Sequence, residues 1–450
     1  MQRRTLLQNT VWASLGLISV GQHAWAAVGD ASTLSPKRLV VIFLRGAVDG
    51  LNIVVPYADS DYYSARSSIA IARPGSDGGA LDLDGQFGLH PALAPLMPFW
   101  QSGKLAFVHA SGSNDATRSH FDAQDFMESG TPGRKSTPDG WLNRLLGNLP
   151  TKPGDTAPPT RAVSVGAVLP RIYAGSNPVA NIANGQGATK PTLLDRPAIG
   201  SAFYKLYNKD DKLSAAYQAS KQAHAEVMES LDGHSMGGVM QEEMQAANNG
   251  APLPNGFPDD AARLATLMRN DHRVQLAFMA LGGWDTHANQ GAGKGQLANR
   301  LSPLGQGLAA LATRLGPVLD DTVVVVMSEF GRTVRENGNG GTDHGHGNVM
   351  WLLGGPIAGG KVHGRWPGLT SSSLYEGRDL AVTTDFRQVL AEVTQQHLSL
   401  PDARVQNIFP GYPVAARSGL GVMRTYGHVE VSQDGRLDGF QIHEIDLPVS

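Results

Sequence analysis

The sequence of 450 residues contains no cysteine. That absence removes disulfides as a source of stability and thiolate as a metal ligand. Any metal must be held by histidine, aspartate, glutamate or backbone oxygen. Long apolar runs are missing too. The mildly apolar stretch Val11 to Val20 is about ten residues, whereas a membrane helix needs about 20. No second run approaches that length, so the mature chain is expected to be soluble. Charge is sparse, at 17% of residues with a formal net of −3. No long basic run exists, which argues against nucleic acid as a partner. Stability must come from core burial, and a chain of this length can bury a large core.

What is present begins with Arg3-Arg4-Thr5-Leu6-Leu7, an arginine pair before apolar residues. The apolar stretch follows, and Ala24-Trp25-Ala26 supplies a small-x-small cleavage pattern before Ala27. The order of charged, apolar and cleavage regions predicts a twin-arginine signal over residues 1–26. Ser14, Gly16 and Ser19 keep the segment only modestly apolar, which favours the twin-arginine route over an ordinary secretory signal. The expected location is periplasmic or extracellular, and the expected first partner is the twin-arginine export machinery. Residues 1–26 carry two arginines and no acid, so the mature charge is −3 − 2 = −5.

Five short, β-branched, apolar runs predict buried strands: Lys37–Leu44, Lys104–Ala110, Val274–Leu281, Thr322–Met327 and Val349–Leu353. Helical patterns lie between them, at Ser119–Glu128, Ala261–Asn270, Gly295–Leu315 and Thr384–His397. Buried strands alternating with helices predict an α/β protein with a mostly parallel sheet. Residues 130–200 are rich in Pro, Gly, Asn and Ser and read as a loop-heavy insert. Residues 210–248 read as a polar helical insert. After Tyr412 the composition changes, and 413–450 reads as a small β-rich tail.

In open α/β sheets, sites form at the carboxyl ends of strands. Strand one runs toward Asp49. Strand two leads to Ser113–Asp122, which includes Ser119. Strand three leads to Asp285 and His287, and strand four to Glu329 and Arg332. The glycine-rich loop Gly340–Gly347 then carries Asp343, His344 and His346. Carboxylate and imidazole without thiolate suit Zn, Mn or Fe, and Mg or Ca where carboxylates dominate. Asp285 and His287 lie two apart, so an extended loop can aim both to one side. Glycines around His344 and His346 allow close approach of backbone and metal. Asp49, Asp285, His287 and His344 or His346 are expected in one coordination sphere. The plainer alternatives are a polar loop, a loop cap, and for Glu329 a salt bridge to Arg332 or Arg335.

A competing motif is Gly233-His234-Ser235-Met236-Gly237, which matches the G-x-S-x-G nucleophile elbow. That motif requires a strand before the serine. The preceding Ala223–Leu231 has a helical pattern, which argues against a serine esterase using Ser235.

Several segments together resemble a known family. They are Leu39–Asp49 with Asn52–Tyr57, Ser119–Gln124, Gly283–His287, Met327–Thr333, Gly341–Gly347 and Thr383–Arg387. They are similar to the exported bacterial domain-of-unknown-function family 1501, over about residues 37–412. That family looks like a branch of the alkaline phosphatase and sulfatase superfamily. The resemblance implies an alkaline-phosphatase-like three-layer sandwich with one or two metals at the carboxyl edge of its sheet. By motif order, Asp49 resembles the first-strand metal aspartate. Ser119, or Thr117, sits where a nucleophile would open a helix. Asp285 and His287 resemble the mid-chain metal motif, and His344 or His346 the late histidine ligand. Phe330 stands where superfamily members usually carry a histidine ligand, which weakens, moves or removes one metal position; His344 or Asp343 is the candidate to compensate. No Cys/Ser-x-Pro-x-Arg surrounds Ser119, so the formylglycine signature is missing.

The expected function is a metal-dependent hydrolase of phosphate or sulfate esters, on a small-molecule or polysaccharide substrate. The cofactor is a divalent metal (Zn, Mn or Ca). Ser119 would attack, or position the substrate for water, while Arg45, Arg118 and Arg332 would clamp the anion. The alternatives are a non-catalytic exported binding or assembly protein on the same fold, and the Ser235 esterase.

Overall fold

The computed structural model describes residues 36–151, 158–185, 246–413 and 419–424. The signal segment, the 210–245 insert with Ser235, and the tail beyond 424 lie outside the described residues. Among the described residues there are twelve strands: β1 Arg38–Leu44, β2 Val54–Val55, β3 Leu81–Asp82, β4 Gly88–Leu89, β5 Leu105–Gly112, β6 Ala162–Val165, β7 Ala180–Ile182, β8 Leu276–Leu281, β9 Thr322–Ser328, β10 Asn348–Gly354, β11 Lys361–His363 and β12 Thr384–Asp385. β2, β4 and β3 make a small antiparallel sheet.

The other nine form the central sheet, in the order β11-β5-β10-β9-β1-β8-β6-β7, with β12 beside β5. β1 pairs parallel with β8 and β9, and β6 parallel with β7 and β8. β10 is antiparallel to both β5 and β9, so β5 and β9 run the same way. The chain is therefore an α/β protein with a mostly parallel sheet, and all five expected strands are in it.

The strands are continuous apolar runs because both faces of the sheet are covered. In β1 all seven residues are buried. Val40, Ile42 and Leu44 face one core, shared with the helices Phe257–Asn270 and Gln296–Leu315. Leu39, Val41 and Phe43 face the other, shared with the helices Trp141–Asn148, Phe386–Glu392 and Asp402–Ile408. Period-two alternation thus divides one strand between two cores. The result is three layers. Among the described residues, no helix is long and apolar enough to cross a membrane.

One expectation is modified. The loop-heavy stretch 130–200 contributes the helix Trp141–Asn148 and two strands, β6 and the edge strand β7. These strands are short, at four and three residues, and lie at one end of the sheet, so their periodic signal was brief.

Candidate metal centre

The carboxyl ends of β1, β5, β8 and β9 open on one edge of the sheet, and β10 begins there because it runs the opposite way. Past β5, Ser119 caps the helix His120–Ser129. Past β8 comes Asp285, and past β9 comes Glu329. His344 lies just before β10.

The segments around Arg332 and His344 are held together by backbone hydrogen bonds. Gly331 donates to the His346 carbonyl (2.8 Å), Thr333 to Asp343 (2.9 Å) and Gly345 to Gly331 (2.8 Å). Gly345 is required here, since a Cβ would lie 2.4 Å from the Arg332 carbonyl carbon. Across the cluster, Gly46 turns at the end of β1 with φ +113°, and its N–H donates to Glu329 Oε1 at 2.7 Å. That φ is open to glycine and rare for other residues.

Three imidazoles converge on Asp285. His344 Nε2 lies 3.0 Å from His120 Nε2 and 3.1 Å from His287 Nε2. Asp285 carboxylate oxygens lie 3.0 Å from His287 Nε2, 3.4 Å from His344 Nε2 and 3.5 Å from His120 Nε2. Ligand atoms of His120, Asp285 and His344 all fall within 4.8 Å of one another.

Each ring is held from behind. His120 Nδ1 meets Glu329 Oε1 at 2.8 Å. His287 Nδ1 meets Asp343 Oδ1 at 3.2 Å, and His344 Nδ1 meets the Arg118 carbonyl at 2.9 Å. All three partners accept only, so each Nδ1 carries the proton and each neutral ring turns a bare Nε2 lone pair inward. Three lone pairs and a carboxylate facing one another repel unless a cation or added protons lie between them.

A divalent ion fits His120, Asp285 and His344. A tetrahedron with metal–nitrogen distances of about 2.0–2.1 Å has edges of about 3.3 Å, inside the 3.0–3.5 Å spread among these three. His287 lies against Asp285 and His344 but outside the group whose ligand atoms all fall within 4.8 Å of one another. Carboxylates and a carbonyl behind metal-binding histidines are the usual outer shell, fixing tautomer and ring orientation.

Without an ion, protons answer the repulsion. Burial pulls the His120 pKa down, but hydrogen bonds and charge from Asp285 and Glu329 outweigh it and bring the group to about 9. Burial raises the Asp285 carboxyl, yet His120, His344 and Arg332 together hold it well below the usual range. Glu329 behaves alike: burial raises it, and His120 and Gln124 bring it down overall.

Two expected ligands are elsewhere. Asp49 is fully buried and both its oxygens face Arg66, at 2.6 and 3.0 Å, with Gln290 donating to one at 2.6 Å. Its charge is already neutralised, so it does not join the cluster. His346 stacks on Tyr375 at 4.3 Å, and burial lowers its pKa. His344 is the member of that pair that points inward.

Glu329 and Asp343 back the rings rather than facing the centre. Arg332 is buried and grips Asp285 Oδ1 at 2.6 Å as well as Thr342. Its partner is therefore Asp285, not Glu329. Arg45 is taken up by Glu128 (2.5 Å) and the Asn249 carbonyl (2.7 Å). Ser119 is an exposed helix cap whose hydroxyl faces the Asp122 amide. Phe330 fills space as a buried wall, 5.0 and 5.2 Å from the rings of His120 and His344.

His120 is the residue that sequence reasoning missed. Attention went to the serine before it, as a nucleophile opening a helix. The available signal was a histidine at the first helical position after a buried strand, on the edge where the other ligands gather.

A family model described as protein of unknown function (DUF1501) matches residues 36–409. The chain belongs to that family. Comparison with curated proteins returns no match. Among solved structures, the C-terminal periplasmic domain of EcEptC from Escherichia coli, in complex with Zn, aligns at 10% identity over 72% of this chain and 74% of that one, TM-score 0.34. Ps i-CgsB in complex with k-i-k-neocarrahexaose aligns at 11% identity over 73% and 68%, TM-score 0.33. Alkaline phosphatase from the Antarctic bacterium TAB5 aligns at 12% identity over 72% and 93%, TM-score 0.30.

Proposed function

We propose that this family member is an exported metal-dependent hydrolase of phosphate or sulfate esters, with one divalent ion held by His120, Asp285 and His344 and with His287 beside Asp285 and His344 on the exposed side. The observation that supports this most is the convergence of three Nε2 atoms on Asp285, each with its Nδ1 anchored from behind. A bound ion would supply the charge that polarises an ester oxygen and makes a water acidic.

The chain's own residues set the stage. Glu329 and Asp343 fix the tautomers of His120 and His287. Arg332 orients Asp285. Phe330 keeps one flank of the cluster apolar, which strengthens electrostatics there. His287 is the exposed ring of the cluster, with 46% of its side chain accessible, so the approach to the centre runs past it. Ser119 lies outside the cluster, and its cap role leaves water as the better nucleophile in this reading.

The test joins metal content with turnover. Protein exported by its own signal should contain about one Zn or Mn per chain and lose ester hydrolysis on chelation. Export itself should fail when Arg3 and Arg4 are both changed to lysine, with precursor left in the cytoplasm. Retained hydrolysis in metal-free protein would sink the metal reading, and loss of activity in Ser235→Ala would move it to the serine esterase.

The non-catalytic alternative draws on one observation. His287 Nε2 stands 3.0 Å from Asp285 and 3.1 Å from His344, and its turn onto the ion would add a fourth protein ligand and close a tetrahedron, as in structural sites. One metal per chain without turnover on any ester would favour it.

A further inference from the structure

We infer that the ester this site accepts carries a single negative charge, as a sulfate monoester or a phosphate diester does, and not the two charges of a phosphate monoester. The inference rests on the proposed hydrolase site and narrows its substrate.

Every guanidinium that touches the cluster already faces carboxylate. Arg332 is on Asp285 at 2.6 Å. Arg118, whose carbonyl anchors His344, is on Glu376 at 2.6 Å and Asp379 at 2.8 Å. Arg378, which donates to the His344 carbonyl at 2.6 Å, is on Asp379 at 2.9 Å. Arg45, an expected clamp, is on Glu128. Guanidinium recognises phosphate through its fork of N–H donors and its charge. Arg332 and Arg45 have both terminal nitrogens bonded within the protein. Arg118, whose Nε has no partner among the described residues, has its charge matched through Nη2 by two carboxylates.

The charges can be counted. Asp285, Glu329, Asp343, Glu376 and Asp379 supply five negatives; Arg118, Arg332 and Arg378 supply three positives. With a divalent ion the sum is 3 + 2 − 5 = 0. A monoanion meets a neutral site. The second charge of a dianion meets no unmatched cation in this set and approaches two exposed acids at the rim, Asp343 and Glu376, with 56% and 54% of their side chains accessible. Like charges at that range oppose binding.

The test is calorimetric binding to protein loaded with one equivalent of Zn, its metal content measured. The probes are phenyl sulfate and phenyl phosphate, alike in shape and different in charge, with diphenyl phosphate as the diester. At about pH 8 the phosphate monoester is a dianion, its second pKa being about 6. Phenyl sulfate should bind at least about tenfold tighter than phenyl phosphate. Glu376→Gln removes one rim negative outside the ligand set and should narrow that ratio by about threefold or more. Whichever monoanion is also hydrolysed identifies sulfate or phosphodiester as the source. Equal or tighter binding of phenyl phosphate, or binding of none of the three, overturns the inference. Charge-selective binding without turnover leaves the inference standing and removes the hydrolase reading.

Discussion

Two aspartates stand at the carboxyl edge of the same sheet, a strand apart, and the fold treats them oppositely. Asp49, after β1, is sealed. Arg66 is fully buried and gives it two hydrogen bonds, while also donating to Asn52 and to the carbonyls of Thr333 and Val334. Asp285, after β8, meets one arginine and three imidazoles, with part of its surface open. At the first, the chain supplies its own cation. At the second, one arginine, Arg332, meets a single carboxylate oxygen, and the lone pairs of the three rings around it are bridged only by protons or a metal from solvent.

Breaking the sealed site should have the larger effect on folding. Arg66→Met leaves the Asp49 carboxylate buried and unpaired, and should cost about 3–5 kcal/mol, read as a lower urea midpoint. A loss below about 1 kcal/mol would mean that the pair is not buried as described. At the open site, removing a ligand should show in metal binding. His344→Ala should lower zinc affinity by more than about 100-fold, above the range for outer partners. Zinc at full stoichiometry in dialysed His344→Ala would remove it from the ligand set.

The outer partners should matter less. Glu329→Gln keeps the shape but weakens the hold on His120, and should cost about 10–100-fold in metal affinity. Asp343→Asn, at the exposed rim, should fall at or below the low end of that range. His346→Gln should leave metal content unchanged, since its ring stacks on Tyr375 away from the centre.

The pH dependence sharpens the same contrast. In metal-free protein His120 is raised from 6.5 to about 9. Its contribution to stability is therefore complete below the unfolded value and declines as pH rises through about 9. Asp285 and Glu329 are lowered, so their contribution is present above the ordinary carboxylate range and lost on acidification. Urea midpoints of chelated protein should fall between about pH 6.5 and 9, and added zinc should abolish that decline. A flat profile without metal would show that His120 does not hold the proton. The smallest effect belongs to Ser119→Ala. Loss of its cap should cost about 0.5–1 kcal/mol, with turnover within a few-fold of the parent; a much larger loss of turnover would restore it as a nucleophile.

Much of the layout was legible in the chain. Strands buried on both faces read as unbroken apolar runs, and Val323 to Val326 allow little else. The edge where polar residues gather was legible as well, since Asp285, Glu329 and His344 each lie just beyond or before such a run. Partner choice was not. Nothing local to Asp49 announces that Arg66 will reach back to it through a fully buried path. Nor does local sequence choose His344 over His346, because that depends on which ring the paired segments turn inward. The reversal of β10 was equally hidden, since its apolar run reads the same in either direction.

That reversal has a consequence for assembly. β10 enters the sheet at the edge where its neighbours leave it, so His344 reaches the cluster from the opposite direction to His120, 224 positions earlier in the chain. The two rings meet only after β5, β9 and β10 have all found their places. An ion held between them would act as a reversible cross-link across a very long loop, favouring the finished sheet over partly assembled ones by mass action. Capture of the ion would then report that the whole edge of the sheet has closed.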